Sequence, residues 1–312
     1  QEIQTLEEWT KYFLDTYKKN ELKESTYAEY LSLHRKHIKE SLIGKEKLEK
    51  LTSNQFQEFY NKKQEEGYNA KTIKHIYTLV NSALNKAVQL KMIKDNVNNC
   101  VILPKIQVYK TNILTAEEVK KLLTEAKHEK LYPIVIVAVH CGLRRGECMA
   151  LKWQNIDFDA AEVHIEGSLC KVMKEIKKDG QMSYEYKILS PKTAKSKRTI
   201  PLLPAAIEAL KIQKRRQDEE KNLYANIYDD QDLVFARYDG SCLNQRSFLN
   251  EYKCLLKKYG IREVRFHDLR HTFATLLISY NVDVKTVAVP SATMKSPPLH
   301  SVLPLRVVTA PR

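Results

Sequence analysis

The sequence predicts a mainly α-helical protein of two domains, with a small antiparallel sheet on one side of the second. Three observations carry that expectation. The chain has 312 residues, more than one small core organises and enough for two domains that each bury their own. From Ile3 to Met92 apolar residues recur at helical spacing, with no proline. Between Trp153 and Pro201 the period shifts toward alternation and β-branched residues, with polar turns between the runs.

In chain order, "STYAEYLSLHRKHI" puts Tyr27, Tyr30, Leu31, His34 and Ile38 on one helical face. His34 on that stripe reads as a packed histidine rather than a ligand. In "NAKTIKHIYTLVNSALNKAVQLKMI" an Asn69 cap precedes Ile73, Ile76, Tyr77, Val80, Leu84, Ala87, Val88 and Met92, again at helical spacing. A four-helix domain over residues 1–94 is the economical reading. Clustered asparagines and Pro104 in "KDNVNNCVILPKIQVYKTNILT" break the pattern and predict a linker over 95–112. The second domain, 113–287, opens with a Thr115/Glu118 capping box ahead of Val119, Leu122, Leu123 and Ala126. The nearly continuous apolar run "YPIVIVAVHCG" predicts a buried central helix. Strands are expected in "AEVHIEGSL", "YEYKILS" and "KRTIPL". Helices resume at "PAAIEALKIQKRRQDEEKN" and, after a short strand "LVFA", continue through "NQRSFLNEYKCLLKKYG" and "FHDLRHTFATLLISY".

A formal net charge of +14, with an isoelectric point near 9.3, is spread along the chain rather than gathered in a tail. It points to a polyanionic partner, nucleic acid first, against the plain alternative of a merely basic protein. Cys100, Cys141, Cys148, Cys170, Cys242 and Cys254 form no C-x-x-C pair and no zinc-like spacing with histidine. They read as thiols of a reduced compartment. No apolar run reaches the ~20 residues that span a bilayer, and "QEIQTLEEWTKYF" lacks a signal-peptide layout. A cytoplasmic location is expected, and the missing initiator methionine suggests a segment of a longer chain.

Arg144 in "CGLRRGE", Lys192 in "SPKTAKSKRTIPL", and His267 with Arg270 in "HDLRH" are the candidates for chemistry. Each has a bland reading: a surface cap, a solvated lysine, a common His/Arg pair on one helical face. Together they form a coherent set. Two arginines can grip the non-bridging oxygens of one phosphate and hold charge as it grows during phosphoryl transfer. A lysine can protonate a departing oxygen, and a histidine can handle the proton of an attacking group. No carboxylate cluster for a metal accompanies them, and no cofactor is expected.

"HCGLRRGECMALKWQNID" and "RFHDLRHTFATLL" resemble the two conserved boxes of the tyrosine recombinases, the integrases of phages and conjugative transposons. The order of arginine box, lysine and H-x-x-R matches as well, and the resemblance covers Ile3 to Val287. It implies a helical, SAM-like core-binding domain followed by a catalytic domain. It implies site-specific recombination of a mobile element through a 3′-phosphotyrosine without metal, on double-stranded DNA at attachment sites, with a tetramer on DNA in the intact family. Arg144 and Arg270 would clamp the scissile phosphate, Lys192 would be the general acid for the 5′-hydroxyl, and His267 would assist proton transfer. Glu147 is expected to be a buried structural partner, Leu151 and Trp153 to pack, and Arg145 to make a salt bridge or backbone contact. Lys71, Lys74, Lys195, Lys197, Arg198 and Arg246 are the candidate contacts to the DNA backbone.

The 288–312 segment departs from the family. Where the resemblance places a glycine–histidine pair the chain reads "PSATMK", and where it places the nucleophilic tyrosine it reads "HSVLPL". No tyrosine follows Tyr280, which lies too near Arg270 for that role. His300 follows "SPP", which cannot continue a helix, and Pro290, Pro297, Pro298, Pro304 and Pro311 crowd the region. A disrupted reading frame near Ala288 is the expected origin. The expectation is a chain that binds DNA without cleaving it. The alternatives are a non-catalytic protein competing for attachment sites and a type IB topoisomerase-like enzyme.

Overall fold

The computed structural model describes residues 5–107, 111–176, 182–190 and 197–279. Lys192, Lys195, Tyr280 and the whole of 288–312 lie outside the described residues. By their contacts, the described residues of Gln1–Tyr109 and Lys171–Glu185 form one compact unit, and those of Lys110–Cys170 and Tyr186–Arg312 form another.

The first unit holds α1 (Leu6–Phe13), α2 (Glu24–Leu33), α3 (Ser53–Glu65) and α4 (Ala70–Gln89). The first two run on into single π-helical turns, Leu14–Lys18 and His34–Ile38. Thr5 with Glu8 and Thr52 with Gln55 close capping boxes, and Asn69 accepts the Thr72 N–H at 2.9 Å as the sequence predicts. The apolar stripes meet in a core that includes Leu6, Trp9, Phe13, Phe56, Tyr60, Ile73, Ile76 and Leu84. Trp9 can be buried there because its indole N–H donates to the Ala83 carbonyl at 2.8 Å. His34 is buried, its Nε2 3.1 Å from the Glu7 carbonyl, and burial lowers its pKa.

Two findings correct the expected layout of this unit. The asparagines assigned to the linker are packed: the Asn96 amide donates to Asn81 and Asn85 Oδ1 at 2.8 and 2.6 Å, and Asn98 Oδ1 accepts the Tyr60 hydroxyl at 3.0 Å. An amide that both donates and accepts satisfies buried polar groups as well as it marks turns. In addition, Met173, in a stretch expected wholly within the second domain, packs against this core.

In the second unit, α5 (Ala116–Glu125) starts on the Thr115/Glu118 capping box. Every residue of α6 (Tyr132–Cys141) is buried, and α8 (Pro204–Leu223) and α10 (Asp268–Ser279) pack on it. The short α7 (Arg145–Met149) follows α6, and α9 (Gln245–Lys258) follows α8. The strands divide between two sheets. β1 (Ile156–Asp157), β2 (Glu162–Ile165) and β5 (Arg198–Pro201) pair antiparallel with β2 central, so Val163 lies between Ile156 and Ile200. β3 (Ser168–Ile176) pairs with β4 (Met182–Leu189), and their Lys171–Glu185 portion belongs to the first unit. The expected strand "LVFA" does not form. Its backbone is engaged elsewhere: Gln217 and Gln213 amides donate to the Leu233 and Val234 carbonyls at 2.8 and 2.9 Å, and the Val234 N–H donates to Leu151.

Asn98→Ala removes the acceptor of the fully buried Tyr60 hydroxyl. Urea denaturation of the first unit should show a loss of about 1–3 kcal/mol, the cost of one orphaned buried polar group.

Candidate phosphate-binding site

The arginine box begins where α6 ends. Gly142 closes that helix with φ 57°, a left-handed conformation glycine adopts without strain. A Cβ on it would also stand 2.4 Å from the Phe273 ring of α10, so the turn and the helix packing both require glycine here. The freed Gly142 carbonyl accepts a hydrogen bond from Arg270 Nη1. The chain then turns into α7, and Arg144 is its N-cap residue.

Glu147, at the third position of α7, is 5% exposed. Its Oε2 accepts the Arg144 backbone N–H at 2.9 Å and Arg198 Nη2 at 2.8 Å. Its Oε1 takes Arg144 Nη1 at 2.9 Å and Arg198 Nη1 at 3.2 Å. Burial alone would raise the carboxyl's pKa, but these donors outweigh it and hold it below its ordinary value. Arg270 is half-buried, and burial, with Arg144 and Arg198 as like-charged neighbours, lowers its pKa. Its own helix is anchored by Thr272, whose hydroxyl donates to the Asp268 carbonyl at 2.9 Å and accepts the Leu114 N–H at 3.1 Å.

His267 precedes the first residue of α10 rather than sharing a helical face with Arg270; its carbonyl accepts the Arg270 N–H at 3.2 Å. The ring lies edge-on to His271, centroids 5.3 Å apart. Burial, then His271, Arg270 and Arg144, lower the His267 pKa. The neutral imidazole is therefore favoured at neutral pH, the form able to accept a proton.

The structure brings Arg144, Arg270 and His267 into one electrostatic neighbourhood, together with Arg198 and Glu147. Arg198, one of the candidate contacts to the DNA backbone, has a side chain that is 16% exposed and paired with Glu147. The signal was present: Arg198 and Ile200 share a face of β5 by alternation, and Ile200 packs on the core. His271 carried no signal beyond adjacency. Arg145 Nη2 donates to Gln245 Oε1 at 3.0 Å, Leu151 is buried, and Trp153 donates from Nε1 to Gln217 Oε1 at 2.6 Å. Lys71 and Lys74 on α4, Lys197 and Arg246 are exposed. Among the described residues no three His, Cys, Asp or Glu side chains gather as a metal-holding group, and no helix is long and apolar enough to cross a membrane.

Residues 112–291 match the phage integrase family, and residues 5–64 match the phage integrase N-terminal SAM-like domain. The chain belongs to the phage integrase family, the tyrosine recombinases. It is 31% identical over 276 residues to the tyrosine recombinase XerC-like protein of Caldanaerobacter subterraneus, covering 85% of this chain and 70% of that one. With the ICEBs1 integrase of Bacillus subtilis it shares 27% identity over 255 residues, 81% of this chain and 66% of that one. The fold is that of the Tn1549 transposon integrase in complex with a circular intermediate DNA: TM-score 0.74, 17% identity, 91% of this chain and 90% of that one. It is likewise that of a lambda integrase tetramer bound to a Holliday junction: TM-score 0.64, 20% identity, 94% and 79% covered.

Glu147→Ala would leave two guanidiniums facing a void and should cost about 3–5 kcal/mol by chemical denaturation, with Glu147→Gln losing less. Because the folded carboxyl titrates below its ordinary 4.5, its contribution is full above that value and lost as pH falls through the lower folded one. The stability gap between wild type and Glu147→Gln should therefore close in acid.

Proposed function

We propose that this chain binds duplex DNA through a phosphate site built on Arg144 and Arg270, and that it does so without cutting the strand. The gathering of those arginines with Arg198 at the Glu147 carboxylate, and of His267 beside Arg144, Arg270 and Asp268, carries the reading. Two forked donors suit the non-bridging oxygens of a phosphodiester. His267 would handle the proton of an attacking group, and Lys192 would protonate the departing 5′-hydroxyl. Family membership and the DNA complexes of the Tn1549 and lambda integrases support duplex DNA, at attachment sites of a mobile element, as the ligand. The lambda tetramer supports a four-protomer assembly on the junction. The exposed Lys71, Lys74, Lys197 and Arg246, with Lys195, would add backbone contacts, and a chain of this class works in the cytoplasm.

Cleavage in this family needs a tyrosine oxygen to attack phosphorus. Where the family places that tyrosine this sequence reads "HSVLPL", which fits a DNA-binding competitor of an intact integrase.

In a gel-shift titration on duplex DNA, Arg144→Ala and Arg270→Ala should each weaken binding by about ten- to a hundredfold, the worth of a charged hydrogen-bonded contact. Affinity should fall as salt rises, with a logarithmic slope of about −0.9 per phosphate contacted; a flat response would count against the clamp. A nicked suicide substrate carrying the attachment site should yield no covalent adduct, and an adduct would overturn the non-cleaving reading.

A further inference from the structure

Arg198 opens β5, opposite Ile165 in the ladder with β2. Its two terminal nitrogens meet the two oxygens of Glu147 at 3.2 and 2.8 Å, the parallel fork that guanidinium and carboxylate prefer. Arg144 uses the same two oxygens, from its backbone N–H and from Nη1. The two arginines differ in access: the Arg144 side chain is 51% exposed and that of Arg198 is 16% exposed. One faces solvent, and the other is turned inward onto the carboxylate.

We propose that Arg198 is a positioning residue of the phosphate site, acting through Glu147 to aim Arg144 rather than touching the anion itself. This rests on the phosphate-site reading above. With Arg198 in place the carboxylate is shared between two guanidiniums, so Arg144 keeps a surplus of positive potential and a fixed plane to lie in. Without it, Glu147 has Arg144 as its remaining guanidinium partner of this pair and neutralises the group that must grip the phosphate.

Inorganic sulfate tests this, since it resembles the phosphodiester oxygens and does not titrate in the relevant range. Its affinity is measured by equilibrium dialysis of the full chain at constant ionic strength, with circular dichroism melts as the check on folding. Arg198→Met should weaken sulfate binding by about tenfold, one charge-assisted contact's worth. On a Glu147→Gln background the same change should add less than about twofold, because the link is already cut. A full further loss on that background would make Arg198 a direct ligand and overturn the proposal. Arg198→Met should also gain a step in its affinity in acid as Glu147, no longer held down by Arg198, takes up a proton, a step absent from the double variant. A merely structural loss would lower affinity equally at every pH. Should Arg198→Met fail to fold, Arg198→Lys carries the test: it keeps the charge but not the fork, and binding equal to wild type would overturn positioning. Sulfate affinity unchanged by Arg144→Ala would instead sink the phosphate-site reading, a result distinct from additivity in the double variant.

Discussion

The buried Glu147 carboxylate fixes most of what surrounds it in the second unit. A carboxylate taken out of water costs several kcal/mol unless donors replace its hydration, and here four hydrogen bonds from two arginines do so. Helix α7 is five residues long, too short to persist on its own ladder. The carboxylate caps its start, ties it to β5 through Arg198, and places Arg144 at the turn. Chain entry to that turn is set by Gly142, whose conformation and closeness to Phe273 leave no room for a side chain. Two constraints a few residues apart, one steric and one electrostatic, thus define where the exposed arginine points.

Among the described residues the arrangement gathers three guanidiniums close to one another. Arg144, Arg198 and Arg270 lie, among the described residues, near the Glu147 carboxylate, and burial together with like-charge proximity lowers the Arg270 pKa. Unrelieved repulsion of this kind destabilises the folded chain. It is offset by the apolar packing of α6, which is buried along its whole length and receives α8 and α10. An anion entering the site would relieve the repulsion without any group having to reorganise, the condition under which electrostatic stabilisation is strongest. The overall charge of +14 works at longer range, raising the encounter rate with a polyanion rather than fixing its pose.

How much of this was legible in the sequence depended on whether the cause was local. Caps and stripes were: Asn69, Thr115 with Glu118, and the apolar face of α4 act within a turn or two of themselves. The arginine box and H-x-x-R were legible as patterns, but the relation of His267 to Arg270 was not, because whether α10 starts at 267 or 268 is decided by packing. The asparagines at 96 and 98 resemble a linker until Tyr60, Asn81 and Asn85 are seen to need partners, and those lie far away in sequence. "LVFA" has strand propensity, yet glutamine amides from α8 take the carbonyls a ladder would have used. The pairing of Arg198 was hidden for the same reason: Glu147 is 51 residues away, and a basic residue in a lysine-rich stretch defaults to solvent.

Among the described residues, the contacts that shape the cationic site, from Leu114 N–H on Thr272 to Arg270 on the Gly142 carbonyl, are made by residues between Leu114 and Phe273. The 288–312 segment lies outside the described residues. Binding and chemistry therefore have separate physical supports. Affinity for a phosphodiester depends on guanidiniums held in place by a carboxylate and a helix turn, whereas strand scission depends on one oxygen nucleophile reaching phosphorus. A body of this family that kept the first and lacked the second would occupy the same DNA without cutting it.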